Sequence, residues 1–180
     1  MREVDALEVE ADYRGPRLRF PLDAEQVLGM VRFFRGGGTL HYKYTIQLIN
    51  HFTNAVGALP TLVETTVNEG ERLAVVGDTH GQLQDLFSIF TINGTPDEKN
   101  RYLFNGDFVD RGDNGAEIVL TLFAFHLVYP TGCLLNRGNH EERSQNEAAG
   151  FLTEIRAKFS GHGVGDPGRA NRVYEFFEVA

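Results

Sequence analysis

A chain of 180 residues holds one medium domain and is too short for two comfortable ones. Seventeen Lys and Arg against twenty-five Asp and Glu leave a formal charge of −8, which argues against the basic face by which nucleic-acid binders neutralise phosphates. Hydrophobic residues at 42% argue against disorder, and the lone Cys133 excludes an intramolecular disulfide and fits a reducing compartment.

Residues 1–20 are polar and irregular and read as an arm, with Glu3, Asp5, Glu8, Glu10 and Asp12 in its first part. It has no apolar stretch of signal-peptide length. The longest mostly apolar run, Ile118–Tyr129, includes His126 and is too short to cross a bilayer. A cytoplasmic or nuclear location is expected, with no membrane and no nucleic-acid partner.

Residues 21–70 read as a helical lead-in. Pro21-Leu22-Asp23 opens a helix with Val27, Leu28, Met30, Val31 and Phe34 on one face, and Gly36-Gly37-Gly38 stops it. No Lys-Ser/Thr follows the glycines and no strand precedes them, so they are punctuation rather than a phosphate loop. His41–Val56 is a second helix, with Tyr44, Leu48, His51, Phe52 and Ala55 on one side. His41 and His51 do not share a helical face and read as core or surface histidines.

From Arg72 the pattern becomes strand, helix, strand, helix, strand, helix. The strands are Arg72–Gly77, Arg101–Asn105 and Cys133–Asn136. The helices are Leu83–Asn93, Gly115–Tyr129 and Ser144–Phe159. This alternation predicts βαβ units and a largely parallel sheet whose apolar faces need cover on both sides.

Each strand runs into a loop rich in metal-binding and acid–base side chains: Gly77-Asp78-Thr79-His80-Gly81, then Gly106-Asp107-Phe108-Val109-Asp110-Arg111-Gly112, then Arg137-Gly138-Asn139-His140-Glu141. Ligands of open α/β sheets bind outside the carboxyl ends of the strands, so the three loops converge on one crevice. Carboxylates, imidazoles and an amide form a mixed N/O donor set without thiolate, which suits Mn, Fe or Zn better than Ca or Mg. Closely spaced acids need cations between them, and Arg111 offers a fork matched to phosphate oxygens. Taken singly, Asp78 and His80 read as a chance pairing with Asp78 a helix cap, and Asp107 and Asp110 as turn residues with Arg111 their surface partner. Three such clusters, each after a predicted strand, are poorly explained by coincidence.

Together the three motifs resemble the PPP family of serine/threonine protein phosphatases, over about Leu59–Phe159. Leu40–Asn54 and Tyr102–Glu141 look most like its phosphatase 5 and EF-hand phosphatase branch, although these residues contain no EF-hand calcium loop. The resemblance implies an α/β fold, the N-terminal half of a calcineurin-like metallophosphoesterase β-sandwich with flanking helices, and makes residues 71–180 a partial catalytic domain. It implies two divalent or trivalent metal ions, with Asp78 and His80 on the first, Asp107 bridging both and Asn139 on the second. Arg111 would hold the substrate phosphate, and His140, oriented by Asp110, would protonate the leaving oxygen. The implied reaction is hydrolysis of phosphoserine and phosphothreonine in proteins by a two-metal-activated water, with phosphoprotein substrates and a regulatory protein as partners.

Members of the family carry two further metal-binding histidines and a second arginine downstream of Asn-His-Glu, and this sequence stops at Ala180. A weak second metal site and a truncated phosphatase are therefore expected. His162 reads as a surface loop histidine rather than a replacement ligand, and residues 173–179 read as the approach to the next strand. Two alternatives stand beside the phosphatase: a non-catalytic module that binds metal and phosphate, and a dinucleoside-polyphosphate hydrolase.

Overall fold

The computed structural model describes residue 4, residues 6–160 and residues 167–180. Helix α1 (Ala24–Arg35) starts where Asp23 accepts a hydrogen bond from the Gln26 N–H at 2.8 Å, and it ends at Gly36. Helix α2 (Tyr42–Val56) is capped by a histidine: His41 Nδ1 accepts the Lys43 N–H at 3.0 Å. His51 stacks on Phe20, with ring centroids 4.1 Å apart. Neither His41 nor His51 belongs to the cluster of candidate metal ligands. The polar arm is less detached than it looks in sequence. Val4 and Leu18 are buried in the core, and Tyr13 accepts the His41 N–H through its hydroxyl.

Strands β1 (Arg72–Val76), β2 (Asn100–Phe104) and β3 (Cys133–Leu135) form a parallel sheet in the order β1-β2-β3. Helices α3 (Leu83–Asn93) and α4 (Gly115–Val128) make the crossovers. Consecutive right-handed crossovers in one direction put both helices on the same face. There Phe90 of α3 packs edge-on against Tyr102 of β2 at 5.8 Å and Phe125 of α4 at 5.5 Å. Every residue of α4 from Gly115 to His126 is buried, because α1 and α2 cover the side turned away from the sheet. Phe52 of α2 stacks on Phe123 of α4 at 3.5 Å, and burying an aromatic of this kind stabilises the fold by about 1.5–3 kcal/mol.

The opposite face of the sheet is not covered as the sequence predicted. Leu73, Leu103 and Leu134 are half-buried there, and Val75 is 67% exposed. Cys133 lies on the covered face, where burial pushes its thiol pKa up and leaves it an inert core residue.

Two expectations for the last third of the chain fail. The helix predicted over 144–159 is two helices, α5 (Arg143–Ala149) and α6 (Phe151–Phe159), parted by Gly150 at φ 129°. Only glycine adopts that conformation readily, and it frees the Phe151 N–H from the helix for another acceptor. Residues 173–179 are not the approach to a strand, since α7 spans Pro167–Glu178. Ala170, Val173, Tyr174 and Phe177 recur at helical spacing, and Phe177 meets Phe151 of α6 edge-on at 5.3 Å.

Candidate active site

Parallel strands end on the same side, so the loops after β1, β2 and β3 lie together at the carboxyl edge of the sheet. The first loop is laced to the second by main-chain bonds. The Asp107 carbonyl accepts the Thr79 and His80 N–H groups, both at 3.0 Å, and the Phe108 carbonyl accepts Gly81 N–H at 2.8 Å. Gly112 N–H returns to the His80 carbonyl at 3.0 Å. Approach this close tolerates no side chain, for a Cβ on Gly81 or Gly112 would overlap the other's backbone.

This lacing gathers Asp78, His80 and Asp107. One potential ligand atom from each lies within 4.8 Å of the others. His80 Nδ1 sits 2.9 Å from the Val109 carbonyl, which makes Nδ1 the protonated nitrogen and leaves Nε2 to coordinate. Nε2 is 3.8 Å from Asp78 Oδ2. Two carboxylates and one correctly oriented imidazole are a donor set that fits a divalent transition metal.

The third loop brings His140 against Asp110. Asn139–Glu141 form a single 3₁₀ turn, in which the His140 N–H donates to Asp107 Oδ1 at 2.9 Å. His140 Nδ1 lies 2.8 Å from Asp110 Oδ2. Asp110 is fully buried, and its other oxygen accepts the N–H that the break at Gly150 released, Phe151, at 2.8 Å. Asp110 so held accepts a hydrogen bond from Nδ1–H, which leaves the His140 Nε2 free of that contact. Arg111, exposed, reaches to 3.5 Å from that nitrogen. The His80 and His140 rings meet edge-on at 4.6 Å. Asn139 is exposed beside them, while His162 lies outside the described residues.

Among the described residues, four that are not glycine have left-handed φ: His80 at 38°, Asp107 at 55°, Asp110 at 67° and Arg111 at 65°. All four were singled out in the sequence for their chemistry. Conformations that cost of order 1–3 kcal/mol each persist where the surrounding structure holds them and function needs them.

The family model for calcineurin-like phosphoesterases matches residues 71–179. The chain belongs to that family. A second model, for the PPP5 TPR repeat region, matches residues 1–64. The chain is 45% identical to serine/threonine-protein phosphatase T of Aspergillus oryzae and 41% identical to serine/threonine-protein phosphatase 5 of Homo sapiens. Each alignment covers 88% of this chain, but only 33% and 32% of the relative. A solved protein serine/threonine phosphatase from Saccharomyces cerevisiae, with similarity to human phosphatase PP5, superposes with a TM-score of 0.78 at 32% identity, covering 87% of this chain and 48% of its own. The chain thus spans about a third of the length of the curated relatives it matches. Among the described residues no helix is long and apolar enough to cross a membrane.

Two carboxylates of this calcineurin-like phosphoesterase escaped the sequence reading. Glu141 closes the third motif, yet its side chain accepts the N–H groups of Asp107, Phe108 and Gly138. Glu154 of α6 accepts Gly115 and Ala116 N–H at 3.0 and 2.8 Å, capping α4 from another helix where Asn114 makes no side-chain cap. Lys158 joins Glu154 at 2.8 Å and also pairs with Glu117. The Ser/Thr/Asp/Asn rule for caps looks only at the adjacent residue and cannot find a cap supplied from 38 or 39 residues away.

Proposed function

We propose that this chain serves metal-dependent hydrolysis of phosphoserine and phosphothreonine in proteins. The observation that carries the reading is the pairing of His140 with buried Asp110 directly beside the Asp78–His80–Asp107 cluster. Asp78, His80 and Asp107 would hold one ion, and Asp107 with Asn139 would begin a second site; Mn, Fe and Zn suit this donor set. A bound metal supplies Lewis-acid chemistry, polarising a phosphoryl oxygen and acidifying water. Arg111 grips the phosphate through its fork. His140 presents a proton at Nε2 to the departing serine or threonine oxygen, and Asp110 keeps the ring in register while stabilising its charged form. Such an acid is worth roughly 10²–10⁴-fold for a poor leaving group.

Phosphoproteins are the proposed substrates. The match of residues 1–64 to the PPP5 TPR repeat region supports a protein partner as well, and the cytoplasm or nucleus is the proposed location. A second reading, a module that binds metal and phosphate without turnover, is favoured by one observation: a single cluster of three or more His, Cys, Asp or Glu donors among the described residues, with room for one ion.

Manganese-dependent hydrolysis of p-nitrophenyl phosphate by the purified chain, with Asp107→Asn alongside, tests both. Turnover that the variant loses supports the phosphatase. A folded wild-type chain that binds manganese but does not turn over supports the binding module, and one that binds no manganese refutes both.

A further inference from the structure

Glu141 takes no part in the chemistry above, yet it is tied more closely to Asp107 than any proposed reactant is. Resting on the reading of the site just given, we propose that Glu141 is a positioning residue that sets the backbone conformation from which Asp107 presents its carboxylate to metal. Its Oε2 accepts the Asp107 N–H at 2.7 Å and the Gly138 N–H at 2.9 Å, and its Oε1 accepts the Phe108 N–H at 2.7 Å.

The geometry explains why a side chain is needed. The first and second loops are joined by backbone hydrogen bonds. Among the described residues, no backbone–backbone hydrogen bond joins 105–112 to 137–142, although Gly138 packs closely against Gly106 and Asp107. Glu141 supplies the hydrogen bonds between the two loops that their backbones do not make. The two N–H groups it holds at Asp107 and Phe108 lie on either side of the Asp107 Cα, so both peptide planes that define its φ and ψ are pinned. The Asp107 carbonyl is already taken by Thr79 and His80. A left-handed aspartate is thereby over-determined before any ion arrives. Ionic acceptors make shorter, stronger bonds to N–H than neutral ones, which suits a carboxylate to this duty. Outer partners that fix a ligand in this way commonly govern metal affinity by 10–100-fold.

Glu141→Gln preserves shape but turns an N–H₂ group toward a backbone N–H. Glu154→Gln makes the same change at a carboxylate that also accepts two backbone N–H groups, those of Gly115 and Ala116 rather than those of Asp107 and Phe108. Amide hydrogen exchange at Asp107 and Phe108, manganese titration calorimetry and thermal melting are measured for both variants and the wild type. The expected result is that Glu141→Gln opens those two amides to exchange and weakens manganese binding by about 10–100-fold. Glu154→Gln is expected to lower the melting temperature and leave both readouts unmoved. Unchanged exchange at Asp107 and Phe108 in Glu141→Gln overturns the proposal, as does an equal loss of manganese affinity in Glu154→Gln. If Glu141→Gln does not fold, Glu141→Asp keeps the charge and loses reach; the same two amides are expected to open, and full protection refutes the role. Exchange needs no metal, so a wild-type chain that binds no manganese defeats the reading of the site while the amides still decide the case of Glu141.

Discussion

Replacing Gly138 by alanine would drive a methyl group into Asp107. A Cβ there overlaps Asp107 Oδ1 and lies 2.5 Å from Asp107 N and 2.9 Å from its Cγ, where ordinary contact begins at 3.4 Å. The clash requires a displacement of about 1 Å. Asp107 cannot yield, since its carbonyl is held by the first loop and its N–H by Glu141. The third loop must move instead, carrying Asn139 and His140 away from the metal cluster. Overpacking of this kind costs about 1–3 kcal/mol, or roughly 2–12 °C in melting temperature for a chain of this size. A 1 Å misplacement of reacting groups is worth on the order of 100-fold in rate. Gly77→Ala is the control, because a Cβ on Gly77 meets nothing within 4 Å and its φ is not left-handed. Thermal melts, manganese titration and p-nitrophenyl phosphate hydrolysis on both variants read the outcome. Wild-type melting and metal binding in Gly138→Ala, or equal damage in Gly77→Ala, would refute the reasoning.

His140→Asn is expected to slow hydrolysis of a phosphoserine peptide by roughly 10²–10⁴-fold and of an aryl phosphate far less, because a phenolate leaves without a proton. Equal losses on the two substrates would remove His140 from the acid's role. Glu117→Gln tests a pH effect. Burial raises the Glu117 carboxyl pKa above its ordinary 4.5, with Lys158 offsetting part of the rise. The folded state then holds a proton that the unfolded state releases, so this group's contribution to stability falls as pH rises from about 4.5 through the raised value. The variant should therefore gain in melting temperature on the wild type as pH climbs through that window, and a pH-independent difference would contradict the assignment.

The strands, crossover helices and chemical loops were legible because each is written locally. Buried runs end in glycine, and Asp, His and Arg follow at fixed places. The break at Gly150 had a local sign too, a glycine inside a helical pattern, but the reason to use it is Asp110, forty residues earlier. The helix over Pro167–Glu178 was legible in the spacing of Ala170, Val173, Tyr174 and Phe177, and an expectation of the next strand obscured it. Glu141 and Glu154 were not legible in the same sense. Their sequence neighbourhoods make them ordinary acids, and only the folded chain shows which distant N–H groups they receive. The same holds for the left-handed φ of Arg111, which no side-chain preference announces.

The all-round burial of α4 bears on how the chain is made. The two helices that cover it, α1 and α2, precede it on the ribosome, with some 60 residues between Val56 and Gly115. At about 5–20 residues per second that interval lasts roughly 3–12 seconds. Helices form in microseconds. The nascent α1–α2 pair therefore waits through a long stretch of translation with Met30, Phe34 and Phe52 unburied by their eventual partner. The docking of α4 ends the exposure, and fixes the ledge from which the three loops of the candidate site are hung.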